Sequence, residues 1–276
     1  MKRSYWFFIA VLLLSFTTNN ENSISKEIET ATRIIMPEFD KILNNANVKG
    51  SILVFDPTSR KIYSNNFEKC NNAYLPASTF KIPNSIIALE LGNISDEKSM
   101  FKWNGEERKL KIWEQDLSFR DAFQYSCVPC FQELARKAGS DTMNYWLKKL
   151  NYGNMKVDNS NIDIFWLEGE SKISSFEQLD FIYRFNNRKL PLKNKTYDVM
   201  EKLLFIEKNQ HGLIFGKTGW AIRNGNNIGW FTGYLLRKGK IFFIVSNVEP
   251  NEKFNMDMFP KIRKEISMQA FEILLK

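Results

Sequence analysis

The chain is short of the residues on which much hydrolytic chemistry depends. His211 is its only histidine. A zinc hydrolase with histidine ligands needs several, so that class is excluded. A Ser-His-Asp triad would have to use His211, and nothing around that residue supports one. A surface loop position before Gly212 is the simpler reading. Cysteines number three, Cys70, Cys127 and Cys130, so at least one thiol has no partner within the chain. There is no internal repeat and no low-complexity linker. Despite a formal net charge of +8, no Lys/Arg run of the nucleic-acid-binding kind occurs. The basic residues are dispersed through Lys/Asn-rich stretches and read as a solvated surface, with no nucleic-acid partner expected.

What is present is a globular composition: 276 residues, 43% hydrophobic and 25% charged, enough to bury a sizeable core. The first residues read as an export signal. Met1-Lys2-Arg3 supplies positive charge, residues 5–16 are almost wholly apolar, and polar residues follow. An apolar stretch of about a dozen residues is shorter than the roughly 20 that span a bilayer. The expected division is a signal over about 1–20 and one catalytic domain over 21–276, with no stable membrane span after cleavage. No small-x-small cleavage pattern and no nearby Cys for a lipid anchor are found. Export leads to an oxidising compartment. Cys127-Val128-Pro129-Cys130 superficially resembles a dithiol redox motif. That motif belongs after a strand in a small βαβ domain, whereas this stretch lies in a helical region. Cys127 and Cys130 are therefore read as small packing residues.

Residues 24–43 carry apolar positions at helical spacing, including Ile28, Ile34, Ile35 and Phe39. Residues 51–55 suit a strand, Asp56-Pro57-Thr58-Ser59 a turn, and 61–63 a returning strand. Residues 229–236 and 241–248 predict a hairpin around Arg237-Lys238-Gly239-Lys240. Ile262, Ile266, Ala270 and Ile273 then repeat at helical spacing, and the middle, 78–204, is mostly helical in pattern. The predicted fold is α/β: one antiparallel sheet built from both termini, flanked by the terminal helices, with a mostly helical region inserted between them.

Three short motifs carry chemistry. Leu75-Pro76-Ala77-Ser78-Thr79-Phe80-Lys81 precedes a strong helical stretch, with Pro83 in the first turn where a missing N–H costs little. Ser78 and Lys81, three apart, project from one face. A lysine in an apolar pocket has its pKa lowered, and its neutral form can accept a proton. That is a nucleophile and a base without histidine. Ser126-Cys127-Val128 is the second motif. Lys217-Thr218-Gly219 is the third, in a segment that could be an edge strand, where Lys217 can hold an anion and Thr218 can donate a hydrogen bond. Each alone has a bland alternative; the three in this order are far more specific.

The set resembles the penicillin-recognising serine enzymes. Further features are similar to the class D β-lactamases in particular: Ser78-Thr79-Phe80-Lys81, Val128 where most relatives carry Asn, Tyr152-Gly153-Asn154, Phe165-Trp166-Leu167-Glu168-Gly169, and Gly229-Trp230-Phe231-Thr232-Gly233. The likeness runs from about residue 50 to the C-terminal helix. Cys127 and Cys130 depart from it, beside the site, where less reactive residues would do. The resemblance implies a periplasmic β-lactam hydrolase, monomeric or homodimeric, with Ser78 as nucleophile. It implies that Lys81 is N-carboxylated by CO2 and acts as base, with no diffusible cofactor and no metal. It implies that Trp166 donates to that carbamate and that Val128, Phe80 and Leu167 keep the pocket dry. Ser126 would relay a proton to the leaving nitrogen. Lys217, Thr218 and Gly219 would line the substrate, and the N–H groups of Trp220 and Ser78 would form an oxyanion hole. Arg263, or alternatively Arg223, would grip the substrate carboxylate. Competing readings are a covalent β-lactam sensor and a peptidoglycan transpeptidase or carboxypeptidase. The chain's single short apolar signal speaks against the sensor, whose relatives carry several spans, and Val128 and Trp166 speak against the transpeptidase.

Overall fold

The computed structural model describes residues 24–223 and 225–275; the expected export signal lies outside the described residues. The main elements, in chain order, are strand β1 (Thr32–Ile35), helix α1 (Pro37–Asn45), strands β2 (Val48–Asp56) and β3 (Lys61–Ser64), helices α2 (Lys81–Glu90), α3 (Val128–Ala138), α4 (Ser140–Leu150), α5 (Ser175–Asn186) and α6 (Asn194–Leu204), strands β4 (Phe205–Asn209), β5 (Gly212–Arg223), β6 (Asn226–Arg237) and β7 (Lys240–Pro250), and helix α7 (Phe259–Leu274).

The seven strands form one sheet in the order β1-β3-β2-β7-β6-β5-β4. Strands from the two ends of the chain meet at its centre, where β2 pairs antiparallel with β7, Leu53 opposite Val245. The α/β architecture, with its helical insert between the two halves of the sheet, is the one the sequence predicts. The hairpin turn is as expected: Lys238 and Gly239 both have positive φ, which suits the right-handed twist of the flanking strands.

One expectation fails. Residues 24–43 are not a single helix. Only Lys26–Glu29 is helical before β1, which pairs parallel with β3, the one parallel pair in the sheet. The β-branched residues Thr32, Ile34 and Ile35 favour a strand. Pro37, which cannot contribute an N–H inside a helix, instead opens α1.

Alternation along the strands sorts the core into two layers. Ile52, Val54, Phe231 and Ile244 face α1 and α7, meeting Phe39, Ile266 and Phe271. Leu53, Phe55, Trp230 and Val245 face α5 and the helical insert. The candidate site lies where the insert meets β5.

Candidate active site

Ser78 sits in a 3₁₀ turn, Ala77–Phe80, that runs directly into α2. The turn is held in an uncommon conformation. Ala77 has φ of 51°, a region that costs a residue with a side chain roughly 1–3 kcal/mol. Its N–H donates to the Trp166 carbonyl at 2.9 Å. The Thr79 hydroxyl donates to Pro76 O at 2.6 Å and accepts from the Gln178 amide of α5 at 2.7 Å. On the other side β5 passes very close. A Cβ at Gly219 would lie 3.0 Å from Pro76 O and 3.3 Å from Thr79 N, so a side chain there would press on the turn that carries Ser78.

Lys81 is fully buried, with Nζ 3.2 Å from Ser78 Oγ. No carboxylate pairs with it among the described residues. Its neighbour is the Phe131 ring, with a centroid 4.9 Å away. Burial alone pushes its pKa down to about 7, so the amine is substantially neutral near neutral pH. Phe80 stacks on Trp166 at 5.2 Å and meets Phe165 edge-on at 4.7 Å. Val128 and Leu167 pack against the same cluster. Trp166 Nε1 is buried and has no hydrogen-bond partner. An unpaired buried N–H is costly, and an anion beside it would relieve that cost.

The facing wall carries a lysine and an arginine. Ser126, at φ 54°, presents Oγ to Lys217 Nζ at 2.6 Å. Lys217 is buried, and its pKa is lowered first by desolvation and then by Lys81 and Arg263. Arg263 of α7 reaches across the sheet end, donating to Gly219 O at 2.7 Å, Phe259 O at 3.0 Å and Pro260 O at 3.1 Å. Burial lowers its pKa to about 10, so it stays charged at neutral pH. Gly229 makes its path: a Cβ there would meet Arg263 Cγ and Cδ at 2.9 Å. Arg223 is engaged elsewhere, bonding to the Gly169 carbonyl and the Glu170 carboxylate.

The structure thus brings together Ser78, Lys81, Ser126, Trp166, Lys217, Gly219 and Arg263, with Thr218 and Trp220 on the adjoining stretch of β5. The edge-strand expectation holds for half of β5. Residues 212–215 pair with β4, and beyond them that side of the strand has no partner strand among the described residues. His211 lies in the β4–β5 turn and pairs with Glu272 at 3.1 Å. Tyr152 is a core residue, and Trp230 packs inside with its indole N–H on Leu75 O at 2.9 Å.

Cys127 and Cys130 require correction. They are not free packing residues but form a disulfide across the first turn of α3, where their Cα atoms lie 5.5 Å apart, within bridging range. Cys70 is the remaining thiol, buried against Ser64 at 3.3 Å. The sequence reading also missed Phe131, Gln178 and the space that Gly229 leaves. Of these, only Phe131 carried a signal, an aromatic one helical turn beyond Val128.

A serine in contact with a desolvated lysine, at the meeting of a helical region and a mostly antiparallel sheet, is the arrangement of a penicillin-recognising serine enzyme, and residues 45–270 match the penicillin binding protein transpeptidase domain. The chain is 34% identical to β-lactamase OXA-48 of Klebsiella pneumoniae, over 80% of this chain and 83% of that protein. It is 34% identical to β-lactamase OXA-10 of Pseudomonas aeruginosa, over 82% and 84%. Among solved structures, the class D β-lactamase of Sebaldella termitidis superposes with a TM-score of 0.83 at 32% identity, covering 89% of this chain and 98% of that one. A class D β-lactamase from Nostoc gives 0.81 at 36% identity, covering 86% and 98%. The chain belongs to the class D serine β-lactamases. No described helix is long and apolar enough to cross a membrane.

Proposed function

We propose that the protein hydrolyses β-lactams through an acyl-enzyme on Ser78. The observation that carries this is Lys81 Nζ, buried without an ionic partner 3.2 Å from Ser78 Oγ, while the unpaired Trp166 N–H belongs to the ring stacked on Phe80, the residue before Lys81. Neutral Lys81 accepts the Ser78 proton as Oγ attacks the lactam carbonyl. The N–H groups of Ser78 and Trp220 receive the developing oxyanion. As the C–N bond breaks, Ser126, polarised by Lys217, delivers a proton to the nitrogen. Lys217, Thr218 and Arg263 meet the substrate carboxylate, for which a guanidinium and an ammonium in one buried wall are suited.

The site fits N-carboxylation of Lys81. A neutral amine is what CO2 requires, and Trp166 Nε1 and Ser78 Oγ are the donors that would hold the added charge. When present, that group supplies an anionic base for the deacylating water. Export through the N-terminal signal and residence in the periplasm agree with the Cys127–Cys130 disulfide, which persists in oxidising compartments.

The test is continuous turnover of a chromogenic cephalosporin by the purified protein. Many product molecules per enzyme, with a rate raised by bicarbonate, support the proposal. A single stoichiometric burst would instead identify a covalent sensor.

A further inference from the structure

The Cys127–Cys130 disulfide lies where three parts of the site originate. It joins the N-cap residue of α3 to the third residue of that helix, and the Cys130 N–H also donates to Cys127 Sγ at 3.3 Å. Immediately before it, Ser126 holds a left-handed φ of 54°, which a serine seldom adopts, and keeps Oγ on Lys217. Between the cysteines, Val128 packs on the apolar cluster. Immediately after them comes Phe131, whose ring faces Lys81 and whose carbonyl accepts from Asn84 of α2 at 3.0 Å. A cross-link around so short a loop removes less entropy from the unfolded chain than a long one does, so its effect is local.

We propose that this disulfide is a redox-sensitive positioning element for the reaction. Oxidised, it fixes the turn that sets Ser126 on Lys217 and Phe131 over Lys81. Reduced, it lets that turn relax, and turnover falls. The proposal rests on the acyl-transfer reading above. The reductant is a small dithiol. One thiolate attacks Cys130 Sγ, the less buried of the pair at 7% exposure against 0%. The S–S bond breaks, and Cys127 leaves as a thiolate and is protonated. The second thiol then displaces the mixed disulfide, so two electrons and two protons pass to the pair and the dithiol departs oxidised.

The experiment compares untreated, dithiothreitol-reduced and reoxidised full-length protein. Thiols are counted by alkylation in denaturant, and acylation of Ser78 by a slow penicillin is followed by intact mass. One thiol, Cys70, is expected before reduction and three after it. Reduction should slow acylation roughly tenfold, since small misplacements of reacting groups cost that much or more. Reoxidation should restore the rate, with little change in melting temperature. Cys130→Ala should reproduce the reduced rate, and its effect should be clearly smaller in a Ser126→Ala background, where one of the two positioned groups is already absent. Three thiols in protein purified from the periplasm, equal rates in both redox states, or an undiminished Cys130→Ala effect without Ser126 would each overturn the proposal. Absence of any adduct in either state would overturn the acyl-transfer reading and this proposal with it.

Discussion

The two walls of the Ser78 cleft use the same residue type in opposite ways. On the helical side Lys81 is fully buried with the Phe131 ring against its amine, next to the Phe80–Trp166 stack, and no carboxylate among the described residues keeps it charged. On the strand side Lys217 bonds Ser126 and shares its wall with Arg263. The first environment favours a neutral amine that takes a proton. The second sets a buried lysine beside an arginine, so desolvation and the neighbouring cations pull the Lys217 pKa down, and an incoming carboxylate would restore its charge by relieving that repulsion. A lysine's role here is set by its neighbours and not by its identity.

Lys81→Met keeps the volume and removes the amine. Turnover should fall by roughly a thousandfold or more, as when a base acting as a unit with its nucleophile is lost. The same substitution should raise the melting temperature, because a desolvated amine opposes folding. Between about pH 7, the folded-state pKa, and the ordinary lysine range, the unfolded chain holds a proton that the folded chain does not. Lys81 therefore destabilises most at and below pH 7, and its penalty fades as pH rises. Thermal melts should show a larger gain for Lys81→Met at pH 6 than at pH 10. An unchanged or lower melting temperature would mean that the pocket is wetter than its packing implies.

Trp166→Phe separates the ring from the N–H. Stacking on Phe80 is kept, while the unpaired donor is removed. Deacylation should slow roughly a hundredfold, the scale for deleting one donor to a catalytic anion, and adduct should accumulate. Unchanged deacylation would remove Trp166 from the chemistry.

Much of this was legible in the sequence, and the residues explain where legibility stopped. The three motifs are local in the chain, so Ser78–Lys81, Ser126–Val128 and Lys217–Gly219 could be read directly. The sheet followed from alternation near both termini and the Lys238-Gly239 turn. β1 was not legible, because Ile34 and Ile35 fit a helical stripe as well as a strand, and pairing with β3 decided it. The disulfide was hidden because Cys-x-x-Cys spacing suits packing, redox and bridging roles alike. That Arg263, and not Arg223, lies at the sheet end beside Gly219 was not legible, because it depends on contacts between residues far apart in sequence.

On the strand side, Arg263→Ala should weaken transition-state binding by about 1.5–3 kcal/mol, read as a fall in kcat/KM for carboxylate-bearing substrates. Arg223→Ala should leave it nearly unchanged. The opposite result would move the anion grip to the loop that Arg223 braces. The smallest expected effect is in the pH profile. Below about pH 7 the acylation rate should fall by about tenfold per unit as Lys81 is protonated, with no matching rise in KM.

Whether Ser78 is the acyl acceptor beside a neutral lysine can be read from intact mass and peptide mapping after exposure to a slow penicillin. One adduct per chain is expected, on the peptide holding Ser78, absent in Ser78→Ala and formed far more slowly in Lys81→Met. An adduct that persists in Ser78→Ala, or one that forms at full rate without the Lys81 amine, would contradict that assignment.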